Sequence, residues 1–168
     1  MKKAIKYIHL VLSLPAGIVL TIICLTGAIL VFDDEINQLI NPSRYYVEKT
    51  TQDPLPLNQL IDIVNKQLTN NSVSEIQLHN DPERTAVATL KEGFRVSAFI
   101  NPYSGEVLAI SPYRETFFFK VMSLHRWLMD SSRTTGKWIT GVSTIFMVIL
   151  LITGLILWFP NKKKKIKI

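Results

Sequence analysis

The chain has 168 residues, 48% of them hydrophobic, one cysteine and a formal net charge of +6. A single cysteine excludes an intrachain disulfide and a thiolate metal cluster, even for a segment facing an oxidising compartment. From Asp33 to Lys137 there are 11 basic residues against all 13 acidic ones, so the positive excess comes from lysines at the two ends, which reflects topology and gives no ground for nucleic-acid binding.

Residues 1–7 form a basic tail with Lys2, Lys3 and Lys6, followed by the uncharged run Ile8 to Phe32. Its 25 residues reach about 37 Å as a helix, more than a hydrocarbon core of about 30 Å, so 8–32 is predicted to span a membrane. A cleaved signal peptide is the competing reading, but an h-region has only about 7–15 residues before a small-residue cleavage site. This run continues into Phe32-Asp33-Asp34-Glu35 and reads as a retained anchor.

A connector, 33–55, opens on that acidic trio, read as a solvated cap outside the membrane. Residues 56–112 have the length of one small α+β domain. Leu57, Leu60, Ile61, Val64 and Leu68 recur at helical spacing before the turn Asn70-Asn71. Strands are predicted over Val73 to Leu78, Arg84 to Lys91 and Phe94 to Ile100, separated by Asn80-Asp81-Pro82 and Glu92-Gly93. Asn101-Pro102-Tyr103-Ser104-Gly105-Glu106-Val107 makes a turn, with Gly105 permitting a positive φ, and a last strand follows over Glu106 to Ile110. In 113–135 the aromatic stretch Thr116 to Met129 is predicted helical and interfacial, and Asp130 to Thr135 connects it onward. The second span, 136–160, holds the uncharged run Trp138 to Phe159, and the basic tail 161–168 follows. Lysines at both ends predict cytoplasmic termini at an inner membrane and a central domain in the periplasm or an equivalent outer space.

Three histidines differ in kind. His79 follows a predicted outer strand and reads as an exposed domain residue. His9 lies just inside the first apolar run, and His125 lies in the aromatic stretch before the second. Ionisable residues at membrane depth usually face a bundle interior or a cofactor, which suits this pair to axial ligation of haem iron. Interfacial anchoring explains them as well, and from composition alone it is the simpler account. Ser13, Ala16, Gly17, Leu20, Cys24 and Gly27 continue the His9 face as a smooth stripe, matched by Thr140, Thr144, Met147, Leu151 and Gly154, but small stripes also serve helix packing. Met147 reads as core or lipid-facing. Arg126 is placed to pair with a haem propionate or an anionic iron chelate, or to snorkel, and Arg133 and Lys137 extend the positive rim. Phe117, Phe118 and Phe119 are suited to the membrane interface or to a cofactor edge.

The helix, antiparallel sheet and Asn101 to Val107 turn resemble a PepSY domain, and the flanking segments resemble the PepSY-associated transmembrane family. The likeness is carried almost end to end by His9, Gly17 and Thr26-Gly27, Phe32 to Ile36, the Asn101 to Val107 turn, Leu124-His125-Arg126-Trp127-Leu128, Gly141, and Thr153-Gly154-Leu155-Ile156-Leu157-Trp158. It implies a membrane α-helical protein of two transmembrane helices with a small periplasmic PepSY-like α+β domain. It also implies an iron-regulated bacterial inner-membrane protein, with haem b bound at His9 and His125, that assists reduction of ferric siderophores. Many members of the family are longer and have more spans, so a four-helix site would need a partner chain.

Thr26-Gly27-Ala28-Ile29-Leu30-Val31-Phe32 matches Thr153-Gly154-Leu155-Ile156-Leu157-Trp158-Phe159 at a constant offset of 127, an inverted repeat if the spans run in opposite directions. Regular helices would hold His9 and His125 about 25–30 Å apart, too far for one iron. A homodimer or a larger membrane complex would therefore supply each second ligand. With no flavin or nicotinamide motif, the electron donor would be another protein or a quinol. The alternative function is a non-enzymatic accessory or regulatory subunit that binds a protein partner through its PepSY-like domain. A transporter is the weaker third reading, since two spans enclose no pathway.

Overall fold

A computed structural model describes residues 2–48 and 50–159. The chain divides into two compact units: one draws on the sequence up to Val31 and from Val121 onward, and the other is Phe32–Lys120. Pro160, the last residue of the predicted second span, and the predicted basic tail 161–168 lie outside the described residues.

The first unit is helical. Helix α1, Lys2–Val31, is 30 residues long, about 45 Å at 1.5 Å per residue. It begins at Lys2, so the three N-terminal lysines ride on its first turns, where sequence reading has a tail. Pro15 sits inside it and removes one backbone donor, which membrane helices tolerate. Helix α6, Thr134–Trp158, is the second long apolar helix. The two pack antiparallel: the Lys2 ammonium donates to the Phe159 carbonyl at 2.9 Å, a cation on the carbonyl end of α6.

Helix α5, Phe117–Trp127, supplies the rest of the unit from Val121 onward. It turns into α6 through left-handed Leu128, Met129 and Arg133, with φ of 52, 57 and 60°. Asp130 closes this corner by accepting from Gly136 N at 3.1 Å and from the Ser132 hydroxyl at 2.7 Å. Gly136 is obligatory here, because a β-carbon would stand 1.8 Å from the Trp127 carbonyl oxygen.

The second unit is α+β. Its sheet is an antiparallel meander in the order β1 (Val73–Gln77), β2 (Ala86–Leu90), β3 (Val96–Ile100), β4 (Val107–Pro112). Helix α4, Leu57–Gln67, lies on one face through Leu60 and Val64. Small Ala86, Ala88 and Ala98 floor that face, with Leu90 and Ile100 completing the core. The Asn101 to Val107 turn is clamped to α4: the Gln67 amide donates to the Gly105 carbonyl at 2.7 Å and accepts from Val107 N at 3.1 Å. Gly105 has φ +75°, as its turn position requires, and its missing side chain leaves room for Ile63.

The connector predicted between the first span and this domain is partly helical. Asp33–Ile40 forms α2 with three acids in its first turn, where the helix dipole favours them, and Pro42–Tyr45 forms the short α3. Thr85, buried at the head of β2, ties α3 down by donating to the Arg44 carbonyl at 3.1 Å and by its own N–H to Tyr45 O at 3.1 Å. Sequence reading missed these helices because each is too short to show an apolar period.

Candidate functional site

The helical unit brings each membrane-depth histidine onto a Thr-Gly pair. His9, on the third turn of α1, places Nδ1 2.8 Å from the Thr153 hydroxyl of α6. His125, near the end of α5, places Nδ1 3.2 Å from the Thr26 hydroxyl and 3.0 Å from the Ile23 carbonyl of α1. The glycine beside each threonine makes the room. A β-carbon on Gly27 would stand 3.1 Å from His125 Cε1, tighter than ordinary contact, and one on Gly154 would stand 3.5 Å from His9 Cε1.

The contacts of His125 set its tautomer. A threonine hydroxyl has one proton, and Thr153 commits it to the Ile149 carbonyl at 2.8 Å. Thr26 likewise donates to the Ile22 carbonyl at 2.6 Å. The Ile23 carbonyl can only accept, and a hydroxyl whose proton lies on its own helix can accept from histidine. His125 Nδ1 therefore carries a proton, and the Thr153 hydroxyl can accept one from His9 Nδ1 in the same way. Neither Nε2 makes a hydrogen bond among the described residues. An imidazole held through Nδ1–H with Nε2 free is the arrangement that metal-ligating histidines share, so the donor chemistry here fits axial ligation of haem iron.

The two rings do not meet. His125 lies beside Thr26, seventeen residues along α1 from His9, which is about 26 Å of helix axis. The expected separation of the histidines therefore holds in this unit. The 127-residue repeat aligns the two Thr-Gly pairs but not the histidines, because the counterpart of His9 in that register is Gly136. Each Thr-Gly pair thus receives its histidine from a differently placed helix.

The remaining candidates are less engaged. Arg126 is exposed and lies over the Trp127 ring at 5.8 Å, and Arg133 lies over the same ring at 4.9 Å. Arg133 and Lys137 line an open pocket of about 550 Å³ with Trp138 and Gly141. His79 is exposed in the loop after β1. Of the three phenylalanines, Phe118 is buried, Phe117 is exposed, and Phe119 meets Tyr113 edge-on at 5.5 Å. Met147 is partly exposed on α6. Thr26 and Thr153 are the residues whose role sequence reading missed; their signal was the repeat itself, which marks two polar positions inside apolar helices.

Two long apolar helices around an antiparallel α+β unit make this a membrane protein with a PepSY-like domain. No curated protein matches the chain. Residues 7–168 match the family described as the PepSY-associated TM region, and the chain belongs to that family.

Proposed function

We propose that this protein is a b-type haem electron carrier of the bacterial inner membrane, with both termini cytoplasmic and the α+β unit periplasmic, assisting reduction of ferric siderophores. The observation that carries the reading is the pair of histidines, each with Nδ1 hydrogen-bonded to the threonine of another helix and with Nε2 making no hydrogen bond among the described residues. His9 and His125 would be the iron ligands, and the bound group would supply one-electron chemistry.

The chain's own residues orient the two rings and keep them in an apolar setting. Thr153 and Thr26 hold Nδ1 and so direct Nε2 outward, while Gly154 and Gly27 let each ring lie against a helix. Because the rings are about 26 Å apart along α1, each iron would take its second ligand from another copy of the chain or a partner subunit. The two sites, at different depths of the helical unit, suit electron passage from a cytoplasmic-side donor to an acceptor outside.

The test is purification of the full chain in mild detergent from haem-replete cells, with oxidised and dithionite-reduced spectra and haem quantified per chain. Sharp reduced α and Soret bands, lost at one site in His9→Ala and at the other in His125→Ala, are expected. Thr26→Val and Thr153→Val should weaken loading by about 10–100-fold, as loss of an outer partner does at metal-bound histidines. A colourless, folded protein, tolerant of both histidine changes, would sink the proposal and favour the accessory-subunit reading.

A further inference from the structure

The α+β unit holds a cavity of about 390 Å³ between α2–α3 and the sheet face opposite α4. Strand register builds its floor. Thr89 pairs with Ser97, and Ser97 pairs with Ser111, so three hydroxyls lie side by side across β2, β3 and β4. None of the three side chains makes a hydrogen bond within the described protein.

Two guanidiniums border this floor. Arg44 lies over Phe99 at 5.5 Å, and Arg95 lies over Tyr113 and Phe94 at 5.7 Å each. Neither has a carboxylate partner among the described residues. Arg44 gives part of its fork to the Tyr45 hydroxyl, and stacking on rings leaves the other guanidinium donors to match oxyanions. Arg95 also holds a left-handed backbone, φ 51°, which non-glycine residues rarely adopt. Across the same cavity stand Asp33 and Asp34, and burial together with the neighbouring Asp34 charge raises the Asp33 carboxyl above its usual range. Two cations and two acids on one small cavity give no net charge, which is the complement of a ligand bearing both signs.

We propose that this cavity binds a small amphoteric molecule, its carboxylate or phosphate on Arg44 and Arg95, its ammonium on Asp33 and Asp34, and its polar atoms on the Thr89-Ser97-Ser111 row. The volume falls in the range of small-molecule sites, about 300–1,000 Å³. The chemistry has two natural sources, a free amino acid or short peptide and the headgroup of an ethanolamine phospholipid. The site stands independently of any histidine or haem.

The full chain in nanodiscs of phosphatidylglycerol alone provides a membrane free of ethanolamine, and calorimetric titration with triglycine and with glycerophosphoethanolamine tests both sources. Saturable binding of triglycine supports a peptide-type ligand; saturable binding of glycerophosphoethanolamine supports a headgroup. Arg44→Gln and Arg95→Gln should each weaken the bound probe by about tenfold to a hundredfold. Ser97→Ala should cost less, and Arg114→Gln, outside the cavity, should change nothing. For a triglycine result, the N-acetylated peptide should lose the Asp33-Asp34 contacts and bind at least about tenfold less well. Melting curves of the variants confirm that they fold. The proposal is overturned if neither probe saturates, if folded arginine variants bind as well as the parent, or if acetylation leaves triglycine binding unchanged.

Discussion

The two units differ most in what they expose. In the α+β unit the interior is Leu60, Val64, Leu90 and Ile100 over an alanine floor, and the Thr89, Ser97 and Ser111 hydroxyls lie on the opposite sheet face. In the helical unit small and polar Ala16, Thr26, Ser123, Gly136 and Ser143 are buried with Val121 and Trp127, while Leu14, Ile18, Leu25, Ile145, Val148 and Leu151 are exposed. Water drives apolar side chains inward, whereas lipid is as apolar as leucine and gives no such drive. Helices in lipid associate through small residues and polar contacts, which is how α1, α5 and α6 meet. The difference teaches that one chain is folded for two solvents, and that the histidine contacts belong to the part built for lipid.

Matched arginine substitutions test that contrast most severely. Val148 near the middle of α6 and Leu78 after β1 are exposed to similar degrees, 50% and 51%. Val148→Arg should disfavour membrane insertion of α6 by about 3 kcal/mol, read by glycosylation mapping of the span. Leu78→Arg should change the stability of the α+β unit by no more than about 0.5 kcal/mol in a denaturant melt. Equal effects would show that the two exposed surfaces meet the same solvent.

Gly105→Ala is the next largest. A β-carbon there stands 2.7 Å from Ile63 Cγ2 and meets a φ of +75°. A loss of about 1–3 kcal/mol is expected, confined to the α+β melting transition. A parallel shift in a helical-unit transition would mean that the units do not unfold separately.

The smallest expected effect is at Asp130, whose carboxyl the Gly136 N–H and the Ser132 hydroxyl hold below its usual value. A folded pKa below the unfolded one contributes stability above the unfolded pKa, about 3.8, and that contribution is lost as pH falls through the folded value. Melting of the helical unit should therefore soften at acid pH, and Asp130→Asn should flatten that dependence. An unchanged pH profile in the variant would remove Asp130 from the corner's stability.

Much of the fold was legible because it rests on local pattern. Uncharged runs announced α1 and α6, the spacing of Leu57, Leu60, Val64 and Leu68 announced α4, and β-branched stretches with Asn, Pro and Gly breaks announced a meander. Boundaries moved by a few residues: β4 ends at Pro112 rather than Ile110, and α6 begins at Thr134. The site was legible only in part. His9 and His125 stood out as ionisable groups beside apolar runs, but nothing local ties His9 to Thr153, 144 residues away, or His125 to Thr26, 99 residues away. Arg44 and Arg95 gave no signal, since each looks like an ordinary surface arginine until strand register and α3 bring them to one cavity.

The amino-acid order by itself determined the solvents, the helices, the strands and the turn at Gly105, because those follow from hydropathy, period and backbone freedom over a few residues. Tertiary structure alone decided which nitrogen of His125 carries its proton, that three hydroxyls share a row, and that Gly136 must lack a side chain. Each of these depends on a hydrogen bond or a steric contact between groups from different elements, and only packing sets such distances.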